Sequence, residues 1–565
     1  MPTTPDEPIQ IVVPSSVQMG WVDAPAYFSG ASETARDVAA EYAEAPIGAV
    51  PEHHLEKKTE LPADQTAEMI ARKHVTANTR AEKNYSEEQR RAREVLHYLL
   101  EVYIDDFIAA ARAKSPEELK HISRALLHAI HDVFPENLHS PDDQPVSEKK
   151  MDKGEAQWNV VKEVLGWICD GKEKTIRLPE EKVDKIVAAL KEMLRCKAGT
   201  PFDEFRQLMG KLHHASIGIP AGKGFMTPLN HQLAKNPKKV WFRKGSLQRE
   251  AIQLWIALLQ DAMTKPTSAR ELLPASPDYV GLKDASRDGA GGVWLSGKKK
   301  MKATVWRVEW PEAIRKLLDD EVITINDLEM AGNLLGWLVL EGLGVDIKHC
   351  HIALLNDNKS AVSWILRWAA HSKGPAGKLI IALALRQRER RASPLTPAHV
   401  AGVLNRMADV ASRSFGYKKE WECKSSSEFL TLFDRLFPLP KQSSWQYFNL
   451  SSRIFTKVTN ILQTTAFEMH EWKRLPGIGT SISRPGASLC DLGELIRTWE
   501  SQCPSQKKCI TSQALEQWSA QENWAVETKL ELDRYVQRLL PLRRPSRWTE
   551  AKCPSTTRQE NTTRH

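Results

Sequence analysis

Two sets of carboxylates carry the chemistry open to this chain. The first is Asp105-Asp106, within Tyr103-Ile104-Asp105-Asp106-Phe107. The mostly apolar flanks, Glu101-Val102-Tyr103-Ile104 and Phe107-Ile108-Ala109-Ala110, read as a β-hairpin with both Asp at its tip. Adjacent like charges cost free energy unless a cation neutralises them, and a hard, oxygen-seeking ion such as Mg2+ is the natural partner. The competing reading is an acidic, solvated turn. The second set is dispersed: Asp284, Glu329, Asp357 and Asp409, with His399 and Asn405 shortly before the last. Singly, each has an ordinary reading as a strand end, a first-turn acid or a loop residue.

The elements around the second set give it a pattern. In Tyr279-Val-Gly-Leu-Lys-Asp284 alternation puts Val280, Leu282 and Asp284 on one face of a strand. Asp288-Gly289 then supplies a hairpin turn into Gly291-Gly292-Val293-Trp294. A helix after Ile323 carries Leu328, Ala331, Leu335 and Leu338 as a stripe. Glu329 lies about 100° from Leu328, at its border. Asp327 reads as a helix cap. His351-Ile-Ala-Leu-Leu-Asn-Asp357 is an apolar strand ending in Asp, as suits a buried parallel strand. Pro397-Ala-His399 leads on to Asn405 and Asp409.

Upstream, Ile9–Val13 reads as a strand, Met19–Phe28 as a Gly/Pro-punctuated turn, and residues 29–43 as a helix. Residues 45–63 read as a loop in which His53-His54 lacks the Cys or carboxylate spacing of a metal site. A charged helix is expected over 64–93. Ser115-Pro116-Glu117-Glu118 is a capped helix start, with Leu119, Ile122, Leu126, Ile130 and Val133 on one face before Pro135. A strand over 160–168, a turn at Asp170-Gly171 and a return strand over 175–178 follow, then helices over 180–194 and 202–216. The second of these starts at Thr200-Pro201 in an N-cap-plus-Pro pattern. Lys238-Lys239-Val240-Trp241-Phe242-Arg243-Lys244 is a basic patch, followed by one more helix and a Pro-rich joint.

The 565 residues exceed one core and imply several domains. Lys plus Arg number 79 against 71 Asp plus Glu, a net charge of +8 that permits a polyanionic partner without requiring one. The 8 Cys show no C-x-x-C pair and are too sparse for a disulfide scaffold, so reduced thiols in an intracellular protein are expected, cytoplasm and nucleus being left open. No run of about 18 apolar residues exists, so no membrane partner is expected. The Trp-containing stretches at Trp445, Trp472, Trp499, Trp518 and Trp524 read as core anchors before base-stacking platforms.

Met19-Gly-Trp-Val-Asp-Ala-Pro-Ala-Tyr-Phe28, Tyr103-Ile-Asp-Asp-Phe107 and Val164-Leu-Gly-Trp-Ile168 resemble, in order, the platform block, metal hairpin and primer grip of retroelement reverse transcriptases. Leu208-Met-Gly-Lys-Leu212 through Gly224–Leu229 resembles their thumb and connection region. The order Asp284, Glu329, Asp357, Asp409, with His-x5-Asn-x3-Asp intact, resembles the ribonuclease H domain of the same enzymes. Asn356-Asp-Asn-Lys-Ser-Ala-Val-Ser-Trp364 and Asn405…Ala408-Asp409…Ser412-Arg413 look most like DIRS-type or gypsy-like retrotransposon polyproteins.

The resemblance implies an α/β and α+β multidomain chain, with a partial reverse-transcriptase palm and thumb followed by a ribonuclease H-like α/β domain. The expected divisions are palm 1–150, primer-grip hairpin and thumb-like helices 151–235, basic connection 236–277, ribonuclease H-like domain 278–417, and a poorly defined, Trp-containing tail 418–565. The implied cofactor is Mg2+, two per active site, clamping attacking and leaving oxygens. The implied metal ligands are Asp284, Glu329, Asp357 and Asp409, with Asp105 and Asp106 in the palm. His399 is expected on a mobile loop aiding proton transfer or product exit, with Asn405 positioning substrate. The partners would be an RNA–DNA hybrid, an RNA template and a DNA primer, with Lys238, Lys239, Arg243 and Lys244 on the backbone. The upstream palm Asp has no counterpart: Asp6 precedes its strand and Asp23 lies inside the platform block. The fingers and first palm strand are therefore expected to be missing, and RNA cleavage better retained than DNA synthesis. The alternative is a catalytically inactive remnant that binds nucleic acid. The oligomeric state is left open.

Overall fold

The computed structural model describes residues 24–69, 97–135, 144–273, 275–297, 299–370, 374–393, 395–416, 420–439, 444–463, 469–473 and 475–483. The chain forms two compact units, Met1–Lys174 and Thr175–His565. It is a mixed α/β protein, with helices and a mixed sheet. No described helix is long and apolar enough to cross a membrane. The expected strand at Ile9–Val13, most of the 64–93 helix, and Trp499, Trp518 and Trp524 lie outside the described residues.

In the first unit, helix Ala24–Glu44 packs on helix Pro116–Val133 through Ala39, Ala43, Ile122, Ala125 and Ala129. The first helix begins five residues before the expected start and takes in the end of the expected 19–28 turn. Ser115 caps the second as read, accepting from the Glu118 N–H, with Pro116 at its first position. Strands β1 (His97–Tyr103) and β2 (Asp106–Arg112) form the expected hairpin, with Tyr103 opposite Asp106. Ile104 takes a left-handed conformation to make the turn, so Asp105 ends the loop and Asp106 begins β2. Strands β3 (Val161–Val164) and β4 (Trp167–Asp170) pair around Leu165-Gly166. This corrects the expected continuous 160–168 strand. Both turn residues have positive φ, 48° and 78°, as a two-residue mirror-image turn requires. Leu165 is an unfavourable residue for that conformation, which hid the turn from a composition-based reading.

The second unit opens with short β5 (Thr175–Arg177), helix Glu180–Arg195, β6 (Thr200–Pro201), helix Phe202–Ala215, helix Thr227–Lys235, β7 (Lys239–Val240), helix Leu247–Thr264 and β8 (Thr267–Ser268). Thr200 does not cap the Phe202 helix; it pairs with Val240 in the β6–β7 ribbon, and Pro201 takes the N-cap position. The one helix expected after the basic patch is Leu247–Thr264. The Leu247–Thr264 helix buries Ala251, Ile252, Leu254, Trp255, Leu258 and Leu259.

A seven-stranded sheet follows, in the order β13-β12-β9-β10-β11-β14-β15. Strands β9 (Tyr279–Ala285), β10 (Gly289–Ser296) and β11 (Thr304–Glu309) form an antiparallel meander. Strand β12 (Ile352–Asn356) lies parallel to β9, and β13 (Leu395–His399) parallel to β12. Strands β14 (Gln446–Leu450) and β15 (Gly479–Ser483) extend the far edge beside β11. The sheet therefore continues well past 417, where the tail was expected to begin. Trp445 and Trp472 are buried, in line with the core-anchor reading.

Alternation along β9 and β10 assigns the layers. Val280, Leu282, Val293 and Leu295 face helices Arg406–Ser412 and Ser426–Leu436. On the other face the Trp294 indole donates to the Gly336 carbonyl of helix Ile325–Gly342 (2.8 Å). That helix is buried at every residue from Asp327 to Glu341, not along a single stripe. Its outer side is covered by helices Ala376–Arg390 and Ser452–Leu462 and by β15. The cover is pinned by an ion-pair network: buried Glu341 accepts from Arg386 and Arg390, and Arg386 also donates to the Trp472 and Lys473 carbonyls.

Candidate metal centre

Three carboxylates converge at one end of the central strands. Asp284 stands near the end of β9, Glu329 on the second turn of the Ile325–Gly342 helix, and Asp357 just past β12. One oxygen from each lies within 4.8 Å of the others. Among the described residues this is the one grouping of three or more His, Cys, Asp or Glu that could hold an ion.

Each position has a local cause. Strands β9 and β12 are parallel neighbours, so their C-terminal ends lie on the same side of the sheet. Thr324 caps the Glu329 helix in a reciprocal box with Asp327: the Thr324 N–H donates to the Asp327 carboxylate at 2.9 Å, and the Asp327 N–H to the Thr324 hydroxyl. Asp327 is thus the cap expected of it, and it accepts from the Ala376 N–H as well. Gly291 pairs with Asp284 across the β9–β10 ladder. A Cβ on Gly291 would stand 2.6 Å from Ala411, so only glycine lets the Arg406–Ser412 helix lie this close.

That approach brings the Ser412 hydroxyl into a hydrogen bond to Asp284. The Asn356 amide donates to Glu329 (2.9 Å). The buried Asn405 amide donates to the Lys283 carbonyl (2.9 Å) and, more weakly, to Asp357 (3.4 Å). Asn358 caps the next helix through the Ala361 N–H and reaches Asn326 at 2.7 Å. Asn356, Asn358 and Ser412 belong to runs already noted for their resemblance, yet their roles were missed. Their only sequence signal is polarity at a strand end and at the end of a helix.

The acids repel one another in a poorly solvated place. Burial pushes the Asp284 carboxyl up to about 6, against the Ser412 hydrogen bond, with the Asp357 and Asp409 charges adding to the rise. Burial, then the Asp284 charge, holds Glu329 well above the carboxylate range, Asn356 opposing. Asp357 is raised by burial, Asn405 opposing. The group opens onto a cleft of about 390 Å³ lined also by Ser286, Arg287, Asp288, Asn358 and Arg413. Oxygen donors with uncompensated negative charge beside an open cleft fit a hard divalent cation.

The other expected site residues fall as follows. Asp409 is half-buried and near enough to influence Asp284 and Asp357, but it is outside the converging three and ion-paired with Arg413, one turn further along its helix. His399 does not ride a loop; it closes β13, in register with Asn356, and is exposed. Asp288 lies in the β9–β10 turn, as read. Asp105 and Asp106 are exposed at the first unit's hairpin, and no third carboxylate among the described residues groups with them. Lys238, Lys239, Arg243 and Lys244 are exposed around β7.

No protein-family model matches the chain, and no curated protein matches it. Among solved structures it is similar to a foamy viral protease-reverse transcriptase in complex with double-stranded DNA, at 15% identity and a TM-score of 0.25 over 54% of this chain and 55% of that one. A second double-stranded DNA complex of that enzyme, carrying the designation dRH, matches at 13% identity and a TM-score of 0.25, over 53% and 46%. A complex with RNA/DNA hybrid matches at 12% and 0.19, over 42% and 29%. The chain spans about half the length of the first two.

Proposed function

We propose that this chain is a retroelement reverse transcriptase/ribonuclease H protein, and that its second unit cleaves the RNA strand of RNA–DNA hybrids. The observation that carries the reading is the convergence of Asp284, Glu329 and Asp357 from a strand, a helix and the neighbouring parallel strand. The β13-β12-β9-β10-β11 order supports it, because an antiparallel meander flanked by two parallel strands is the arrangement expected of a ribonuclease H-like domain. On this reading the β1–β2 hairpin with Asp105-Asp106 would belong to the palm, and the β3–β4 hairpin around Leu165-Gly166 would be the primer grip.

Asp284, Glu329 and Asp357 would hold Mg2+, with Asp409 completing the set. Bound there, the metal supplies Lewis acidity to the attacking water and the leaving 3′ oxygen. The protein's part is positioning. Ser412, Asn356 and Asn405 fix the carboxylates of Asp284, Glu329 and Asp357 through one hydrogen bond each. His399, exposed at the end of β13 in register with Asn356, would pass a proton to the leaving oxygen.

The test is cleavage of a labelled RNA strand paired to DNA, compared with single-stranded RNA and duplex DNA. Mg2+-dependent cutting confined to the hybrid is expected, and loss of cutting in chelator. Equal cutting of all three substrates, or cutting that persists in chelator, contradicts the assignment.

A further inference from the structure

The segment between helices Thr227–Lys235 and Leu247–Thr264 departs from ordinary burial. Its ribbon, β6 with β7, pairs Thr200 with Val240 and Pro201 with Lys239. Alternation sends Val240 and Phe242 inward, at 2% and 8% exposure, with the Phe242 ring 5.9 Å from that of Phe205. Trp241 between them points outward and is 53% exposed. The largest apolar side chain of the segment is therefore the exposed one, just past the ribbon, and its neighbours Val240 and Phe242 are buried.

Its ring is nevertheless seated. Gly199 lies beneath it with a φ of +80°, and a Cβ there would stand 2.7 Å from the indole. The glycine gives the ring a flat backbone support, and the residue is left 53% exposed. Beside it in sequence, Lys238, Lys239, Arg243 and Lys244 are exposed, Lys239 donating to the Ala198 carbonyl at 3.3 Å, and Lys197 is exposed two residues before Gly199. Residues 236–246 contain no acid. Of the nearby acids, Asp203 is taken up by Arg206 at 2.8 Å.

We propose that residues 236–245 form a binding platform for single-stranded nucleic acid, in which Trp241 stacks on an unpaired base and the flanking cations take the adjacent phosphates. An exposed indole flanked in sequence by like charge suits that partner on two counts. Every base offers a π-face, and phosphates spaced along the strand match cations on either side of the ring. A duplex hides its base faces in its own stack, so the aromatic contact selects unpaired strand. The inference rests on the nucleic-acid reading of this chain but not on the metal centre. Asp357→Asn is expected to abolish cleavage and leave this binding unchanged, so the two readings fail separately.

The experiment measures fluorescence anisotropy of a labelled oligothymidylate of about 15 nucleotides, and of a blunt duplex of the same length, with the full chain over a range of salt. Trp241→Leu and Trp241→Phe both keep an apolar side chain over Gly199. Trp241→Leu should weaken single-strand binding roughly tenfold with the salt slope unchanged, whereas Trp241→Phe should retain most of it. Duplex affinity should be the same in all three proteins. Lys238→Gln and Arg243→Gln should each flatten the single-strand salt slope by roughly 0.7. The proposal is overturned if Trp241→Leu binds the oligothymidylate as the wild type does. It is equally overturned if Trp241→Phe is as weak as Trp241→Leu, or if single strand and duplex are lost together.

Discussion

Asp284 sits where burial and the neighbouring Asp357 and Asp409 all favour its neutral form, and its carboxyl rises to about 6. Without a cation, such a site stores unfavourable free energy. Asp284→Asn removes a buried like charge while keeping an acceptor for Ser412. In chelator near neutral pH it is expected to raise stability by roughly 1–3 kcal/mol in denaturant titrations. In Mg2+ the order should reverse, because only the wild type gains from ion binding. A destabilised Asp284→Asn in chelator would mean that the acids are a structural network. The three converging acids were legible in the sequence because strand ends and a helix start place them. Asp409 was legible as an acid but not in its present pairing. Arg413 is one turn along the same helix, at the separation where opposite charges meet, and local pairing wins over the more distant cluster. Ser412 touches Asp284 across 128 positions of sequence, and no local pattern announces such a contact.

Gly291 shows how an element, and not only a residue, builds the centre. Gly291→Ala should push the Arg406–Ser412 helix off β10, cost about 1–3 kcal/mol from overpacking, and weaken Mg2+ binding measured by calorimetry through loss of the Ser412 contact. Wild-type metal affinity in that variant would show that the close approach is irrelevant to the site. The first unit has its own sensitive element. His53 is buried against His131, with Nε2 and Nδ1 3.1 Å apart, and its Nδ1 accepts the Leu55 N–H. Burial, then the charges that His131, His54 and His128 would carry, lowers it to about 4, Glu56 opposing. The unfolded chain therefore binds a proton near pH 6.5 that the folded unit refuses. The stability contributed by neutral His53 should be complete above about pH 6.5 and lost as pH falls toward 4, with His53→Gln flattening the profile in thermal melts. An unchanged profile in that variant would remove His53 as the cause. Elements with strong local signals, such as the Ser115 cap and the β1–β2 hairpin, were readable in advance. The Leu165-Gly166 turn was readable only through the resemblance to a primer-grip hairpin, because its first residue is atypical. The full burial of the Glu329 helix was not readable. It depends on helices Ala376–Arg390 and Ser452–Leu462 and on β15, the last two more than 100 positions downstream of it.

At the scale of the whole chain, the two units differ in how many carboxylates each brings together among the described residues. The first shows two adjacent, exposed carboxylates on a hairpin. The second shows three converging ones with a hydrogen bond to each. Primer extension on an RNA template is therefore expected to give little or no product. Efficient extension abolished by Asp106→Asn would contradict this division of labour. The order of motifs along the sequence gave five expected divisions, none of them with a boundary at Lys174–Thr175. The two-unit division at Lys174–Thr175 and the continuation of the sheet through β15 emerged only from long-range pairing. The most direct test of the central claim is Mg2+-dependent cleavage of the RNA strand in an RNA–DNA hybrid, measured for the wild type, Asp357→Asn and Asp105→Asn. The expected result is cleavage by the wild type and Asp105→Asn, and none by Asp357→Asn. Cleavage that survives Asp357→Asn, or a wild type that cuts no hybrid, would contradict the account.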